Sequence, residues 1–368
     1  MEIIFSTIAF VVLFSILVAV HELGHLIIAR CTGTSVEIFS IGYGPAIYER
    51  LDKHGTKWRF SLIPLGGYIK MLGDSDITSV KEHIPNGVSE EDMQKMSIHR
   101  KKPWQKILVS VGGPLANLLF AIIVIFSLAM IKGIPIYTNA VNVVSEDSLA
   151  YISGIRNGDK IVKANDKPIE TFNEIRDAIK QNIGKKISIE LQTGDLTKNI
   201  DIKMYNDEKT PISSLGVTPS KTTYKKTTPK EALLNSFVTT YVIAFENVKA
   251  IMQVICGKRS TQDMAGVISI FKIASSSAES GLFSFIWMLA TLSIILGAGN
   301  LLPIPVLDGG AIFISMIEWI IGRPINKKLI DVIFFIGLVI VSALMLIGIW
   351  SDLSKIKFFK TILSMVNM

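Results

Sequence analysis

The sequence predicts a polytopic α-helical membrane protein of about four transmembrane helices, with a β-rich segment after the first helix and a small α/β domain after the second. Three observations predict it. Hydrophobic residues fill 49% of the 368 positions and charged ones only 19%, where an ordinary soluble chain carries about a quarter charged. Four apolar stretches, residues 3–29, 107–131, 283–307 and 332–350, each approach or exceed the roughly 20 residues that a helix needs to cross a bilayer. The run from about 137 to 230 is polar and patterned like a folded domain.

Charge adds orientation. A net charge of +7 raises nucleic acid as a partner, but no basic stripe interleaved with aromatic residues accompanies it. Nucleic acid is therefore excluded, and the excess is assigned to loops beside membrane lipids, where cytosolic flanks are enriched in Lys and Arg. Arg30, Arg50, Lys53, Lys57 and Arg59 follow the first span; Arg100, Lys101 and Lys102 precede the second; Arg323, Lys327 and Lys328 precede the fourth. These flanks are placed in the cytosol and both chain ends beyond it, with Lys355, Lys357 and Lys360 counting against that orientation. Cys31 and Cys256 lie too far apart to make a disulfide framework. The amino terminus lacks the basic region and cleavage site of a signal peptide, so residues 1–30 are read as a retained first transmembrane helix.

Residues 31–103 are assigned to a membrane-associated β-hairpin region and a cytosolic loop, and within them residues 35–73 alternate and are punctuated by glycine. They read as short strands about a turn at 53–55, with Gly42, Gly44, Gly66 and Gly67 marking turns or close backbone approach. Residues 104–132 form the second transmembrane helix, where Asn117 is expected to bond across a helix interface brought close by Gly112, Gly113 and Ala116. Within 133–225 come a Gly-Asp turn, a strand, a second turn at 165–167, an amphipathic helix and a hairpin. That order resembles a PDZ domain, a module to which a peptide partner adds a strand. Residues 226–280 hold an amphipathic helix with Leu234, Phe237, Val238, Tyr241, Phe245 and Val248 at helical spacing. It is read as interfacial because Glu246 and Lys249 interrupt it. The third span is assigned to 281–311, and the fourth with its tail to 312–368. His54, His83 and His99 fall in loops and receive no role.

The chemistry sits in an unexpected place. "HELGH", residues 21–25, interrupts the first span, and ionisable groups at membrane depth are retained chiefly where they face a protein interior or a watery cavity. Residues four apart on a helix are separated by roughly 40° around its axis, so His21 and His25 project from one face on successive turns and can reach one metal ion. H-E-x-x-H on a helix is a zinc-protease signature in which the glutamate, here Glu22, handles the proton. A catalytic zinc takes three protein ligands and keeps one position open. Three candidates for the third ligand are Cys31, Glu49 and Asp308. Cys31 falls at a zincin-like spacing that wants glycine where Ile28 stands, and Glu49 lies in a charged strand region. Asp308 is the one carboxylate between 283 and 311, ends an inward-running span at the depth of His21, and follows Pro303 and Pro305, which would open the helix. Asp308 is favoured, with Zn2+ as the cofactor.

With these residues go "PLGGYIKM", "GGPLANLLFA" and "NLLPIPVLDGG". In this order, around a PDZ-like segment, they resemble the bacterial site-2 protease family, intramembrane zinc metalloproteases like the regulator-of-sigma-E protease. The resemblance covers nearly the whole chain. It implies His21, His25 and Asp308 on zinc, Glu22 as general base, and Asn300 positioning the substrate near the metal. It also places Gly42, Tyr43 and Gly44 in a cytosolic-side, membrane-associated β-hairpin that grips the substrate. The implied activity is cleavage within or near the transmembrane segment of single-pass membrane proteins, such as anti-sigma factors or signal-peptide remnants, after a first cut. The implied location is the bacterial inner membrane, with the active site near the cytosol and one PDZ-like domain in the periplasm. The chain departs from the family in having room for one PDZ-like domain rather than a tandem, and in Gly266-Val267 where Gly-Pro is common before the third span. A non-proteolytic PDZ scaffold is the alternative, disfavoured by the complete set His21, Glu22, His25 and Asp308.

Overall fold

The computed structural model describes residues 2–76, 79–82, 89–146, 148–194, 196–204, 215–258 and 266–354. His83 and the tail lysines Lys355, Lys357 and Lys360 lie outside them. The chain divides into two compact units, Met1–Phe126 with Ser236–Met368, and Ser127–Asn235.

In chain order the elements are α1 (Glu2–Cys31), β1 (Val36–Leu51), β2 (Lys57–Met71), β3 (Asp74–Asp76), β4 (Ser79–Glu82), α2 (Glu90–Met96), α3 (Pro103–Lys132), β5 (Ile134–Tyr137), β6 (Val141–Val143), α4 (Leu149–Ile152), β7 (Lys160–Ala164), β8 (Lys167–Pro168), α5 (Phe172–Gln181), β9 (Lys186–Thr193), β10 (Leu196–Lys203), β11 (Val217–Pro219), β12 (Thr222–Lys225), α6 (Pro229–Ile255), α7 (Val267–Glu279), α8 (Leu282–Asn300), α9 (Asp308–Ile321) and α10 (Lys327–Ser354). Among the described residues, four stretches are long and apolar enough to cross a membrane: Ile4–Cys31, Pro103–Lys132, Leu282–Asn300 and Lys328–Ser354.

Within the larger unit, α1 and α3 meet backbone to backbone. A Cβ on Gly24 would lie 2.2 Å from the Gly112 carbonyl oxygen and 2.6 Å from the Ala116 Cβ, so only glycine at these crossings lets the helices approach this closely. Below that crossing, Leu26, Ala29, Val36, Phe39, Met71 and Val109 form one core, which ties the start of the hairpin to both helices. Leu13 and Leu17 of α1 pack with Ala274 of α7 and Leu289 of α8. Ala121 and Ile125 pack with Ala290 and Ile294, with Ile243 and Ala244 of α6 against them. Helix α6 turns Ser236 and Thr240 inward while Phe237, Val238, Tyr241 and Phe245 stay exposed. That is the reverse of a helix facing water, and it leaves a large apolar face.

The β1–β2 hairpin is folded back on itself. Residues 38–41 pair with 67–70 on one side and with 57–60 on the other, and the register breaks around Tyr43 and Ala46. The turn expected at 53–55 is present, and Asp52 organises it. Its carboxylate accepts from the His54 and Thr56 backbone N–H groups and the Trp58 indole, and pairs with Arg30 at the end of α1. Burial pushes the Asp52 carboxyl up, but Trp58, Arg30 and the turn amides outweigh it and hold the group well below the ordinary carboxylate range. The far part of the hairpin exposes Ile47, Tyr48, Phe60, Leu62 and Ile63.

The third apolar stretch corrects an expectation. A span running to 307 was predicted, but α8 stops at Asn300, and residues 301–307 form a non-helical connection containing Pro303, Pro305 and Val306 at φ +86°. Prolines remove the amides that would continue the helix. Asp308 therefore opens a separate helix, α9, of 14 residues, roughly 21 Å long and too short to span about 30 Å of hydrocarbon. What was assigned as one fourth helix with its tail, 312–368, holds most of α9 and then α10.

The smaller unit is built on a four-stranded sheet of order β10-β9-β7-β8. The β7–β8 turn uses Asn165 and Asp166 at φ 47° and 61°, the backbone of a two-residue hairpin turn. Helix α5 starts on a reciprocal capping box between Thr171 and Glu174 and buries Ile175 and Ile179. These pack with Val141, Ile155, Ile161, Ile187, Ile189, Leu191 and Ile202 into one core.

Candidate metal centre

His21 and His25 are both buried on one face of α1. Their Nε2 atoms stand 3.3 Å apart. Asp308 brings one carboxylate oxygen to 3.1 Å from His21 Nε2 and the other to 3.4 Å from His25 Nε2. Among the described residues, these three are the one set of His, Cys, Asp and Glu whose ligand atoms all converge, lying within 4.8 Å of one another. Separations of 3.1–3.4 Å are the edges of a tetrahedron about an ion bound at about 2.0–2.1 Å, the zinc–nitrogen distance. The donor set fits zinc.

The proton on His25 is placed by its other nitrogen. Nδ1 lies 2.8 Å from the Val109 carbonyl oxygen, which can only accept, so Nδ1 carries the hydrogen and Nε2 keeps a free lone pair. Asn117, fully buried, stands 3.2 Å from His21 Nδ1. Asn117 bonds across helix interfaces as expected: its side chain reaches His21 of α1, and its backbone oxygen accepts from Ser293 of α8.

Four glycines set the close approaches around Asp308 and the two histidines. A Cβ on Gly309 would lie 2.2 Å from the Leu302 carbonyl oxygen, and one on Gly310 would lie 2.5 Å from that of Ile304. The glycines of LDGG thus let α9 seat directly on the 301–305 connection. From the opposite side Gly337 of α10 meets Pro305, where a Cβ would be 2.2 Å from the carbonyl oxygen. Gly113 plays the matching part on α3, since a Cβ there would lie 2.3 Å from His25 Nε2 and 2.7 Å from His21 Cε1.

Glu22 is half-buried and hydrogen-bonds the backbone of Ile69. A cavity of about 470 Å³ opens beside it, lined by His21, Glu22, His25, Asp308, Tyr43 and the strand residues Gly67, Tyr68 and Ile69, among others. Tyr43 donates from its hydroxyl to the Gly67 carbonyl at 2.9 Å and stacks on Tyr68. Its ring fills the space that a Cβ at Gly66 would need. Burial pushes the Tyr43 phenol up, with Glu22 and Tyr68 adding to it, so it stays a neutral donor. Gly42, Gly44 and Asn300 do not line this cavity. Gly42 instead faces the Ile63 backbone inside the folded hairpin, and Asn300 ends α8. Cys31 is exposed, and Glu49 pairs with Arg59 on the hairpin.

Several site residues had no chemical signal in the sequence. Val109 meets His25 through its backbone carbonyl, and Tyr68 and Ile69 line the cavity from β2. Lys106 lines the cavity and pairs with Glu318 of α9 at 3.1 Å. Asn117 did carry a signal, a buried amide one helix away from a histidine pair.

Comparison with known proteins places these features in a family context. Residues 9–344 match the pattern described as Peptidase family M50. The chain is 29% identical over 360 residues to "Putative zinc metalloprotease Atu1380" of Agrobacterium fabrum, covering 94% of this chain and 95% of that protein. It is 32% identical over 361 residues to "Putative zinc metalloprotease RC0203" of Rickettsia conorii, covering 95% and 99%. Against "Metalloprotease MmpA" of Caulobacter vibrioides it is 28% identical over 378 residues, covering 95% of each.

Proposed function

This chain belongs to peptidase family M50, and from that membership we propose that it is a zinc metalloendopeptidase cutting within or near the transmembrane segment of single-pass membrane proteins after a first cleavage. The observation that carries the reading is the convergence of His21, His25 and Asp308 within 4.8 Å, beside Glu22 and a cavity. The relatives' names support zinc as the metal.

His21 and His25 would hold the ion through Nε2, and Asp308 through a carboxylate oxygen. A zinc ion held there would supply Lewis acidity and a water nucleophile near neutral pH. Glu22 takes the proton from the attacking water and returns it to the leaving amine. The substrate needs replacement hydrogen bonds, because a transmembrane helix satisfies its own carbonyls until it unwinds. The strand segment 67–71 lies beside Glu22 and supplies an edge for a partner strand. In this reading Gly42, Tyr43 and Gly44 act by holding that edge, with the Tyr43–Gly67 bond as the link. Asn300, at the end of α8, helps position the chain near the metal.

The protein works in the bacterial inner membrane with this site near the cytosolic side. The exposed apolar end of the β1–β2 hairpin and the outer face of α6 both meet lipid. Residues 133–225 act as a PDZ-like domain in the periplasm, and single-pass membrane proteins are the partners.

The test compares the wild-type protein with Glu22→Gln in detergent on a pre-shortened single-span reporter, with zinc measured in both. Cleavage inside the span by the wild type alone, with equal zinc in both, supports the reading. Cleavage by Glu22→Gln at the wild-type rate removes Glu22 from the chemistry, and absence of zinc from the wild type refutes the metal centre.

A further inference from the structure

We infer that Asn117 is a positioning residue for His21, its Oδ1 accepting the Nδ1–H of the ring so that Nε2 is bared toward the metal. The inference rests on the zinc reading above and goes beyond it to a residue outside the ligand set.

As placed, the Asn117 amide turns Nδ2 toward His21 Nδ1 at 3.2 Å, and Oδ1 is buried without a hydrogen-bond partner. An amide's oxygen and nitrogen are interchangeable by a half-turn, and their assignment follows from the hydrogen bonds they make. With Nδ2 facing the ring, His21 Nδ1 must accept and Nε2 must carry the hydrogen. That hydrogen would then occupy the side on which Asp308 and His25 Nε2 converge, 3.1 and 3.3 Å away. With Oδ1 facing the ring, Nδ1 carries the hydrogen and the orphaned oxygen gains a donor. His21 then matches His25, whose Nδ1–H is committed to the Val109 carbonyl. The same amide therefore serves both tautomers of His21, and a ligating Nε2 selects the acceptor orientation.

Position makes Asn117 rigid enough for the task. It is fully buried in mid-helix, its own carbonyl accepts from Ser293 at 2.9 Å, and Gly297 of α8 packs 3.2 Å from its Cβ when given a Cβ of its own. Partners of this kind orient a ligating imidazole and raise its basicity, and losing one typically weakens metal affinity by about 10–100-fold.

The experiment measures zinc affinity of the full-length protein in detergent by competition with a chromophoric chelator, beside a thermal melt of each variant. The set is wild type, His21→Ala, Asn117→Leu and Asn117→Asp. Leucine has the amide's size and no acceptor; aspartate can only accept. Expected is a loss of about 10–100-fold in Asn117→Leu, with Asn117→Asp near the wild type. A purely structural Asn117 predicts the opposite order, because an unpaired buried carboxylate is worse tolerated than leucine. Equal affinity in all three Asn117 forms, or a loss in Asn117→Asp as large as in Asn117→Leu, overturns the inference while wild-type binding leaves the metal centre standing. Wild-type affinity no better than His21→Ala overturns both.

Discussion

The carbonyl oxygen of Val109 accepts a hydrogen bond from His25 Nδ1 at 2.8 Å, across the contact between α1 and α3. One backbone atom thus sets the tautomer of a histidine 84 positions away in the chain. Because the acceptor is main chain, its supply depends on how closely the helices pack, and that closeness depends on glycine.

Gly113→Ala is the sharpest test of that dependence. Its Cβ would fall 2.3 Å from His25 Nε2, the atom assigned to the metal. The variant should retain its helix content by circular dichroism while zinc occupancy drops by roughly tenfold or more, in line with loss of ligand orientation. Full zinc occupancy in a folded Gly113→Ala protein would contradict the site geometry.

Metal removal should register in stability as well as activity. A ligand that binds only the folded state at a hundredfold excess over its Kd adds about 2.7 kcal/mol. Chelation should therefore lower the Tm of the wild type, and zinc should restore it. His25→Ala should show no such response, and a response equal to the wild type's would place the stabilising ion elsewhere.

Lys106 and Glu318 form a pair at 3.1 Å between α3 and the helix that carries Asp308, with Glu318 buried and also accepting from the Ile325 backbone N–H. Removing one member of a buried pair typically costs about 3–5 kcal/mol. Lys106→Met should lower the melting temperature, and Lys106→Met with Glu318→Met should recover part of the loss. Recovery should be incomplete because the Ile325 amide still loses its acceptor. Additive losses in the double variant would mean the two residues are energetically independent.

Asp52 predicts a pH signature. Its carboxyl is held below the ordinary range in the folded state, so folding favours the ionised form. That stabilisation is complete above the unfolded pKa of about 3.9 and is lost as pH falls below it. Wild-type stability should thus fall more steeply than that of Asp52→Asn on acidification below about pH 4, with the two curves parallel above about pH 5. Parallel curves throughout would show that the Arg30–Asp52–Trp58 cluster adds nothing to folding.

Much of this was legible in the chain. Apolar runs of sufficient length give the four helices, because in lipid each backbone amide must be satisfied within its own segment. Local turn chemistry gives part of the smaller unit, with Asn165 and Asp166 in the hairpin turn expected at 165–167. The apolar run continues from Asn300 to Leu307, but Pro303 and Pro305, legible in the chain as helix openers, deny the helix its hydrogen bonds, and α8 ends at Asn300.

By itself the sequence determined the residues with metal-ligating chemistry and, through helical periodicity, that His21 and His25 share a face. Periodicity is local, so it reaches four residues along α1 and no further. Only the tertiary structure decided that Asp308 stands 3.1 and 3.4 Å from those rings, that Val109 and Asn117 address their far nitrogens, and that the strand at 67–71 borders the cavity where Gly42 and Gly44 do not. Those relations depend on the closest distance two backbones can reach, which is a property of Gly24, Gly112, Gly113, Gly309 and Gly310 meeting their partners in space.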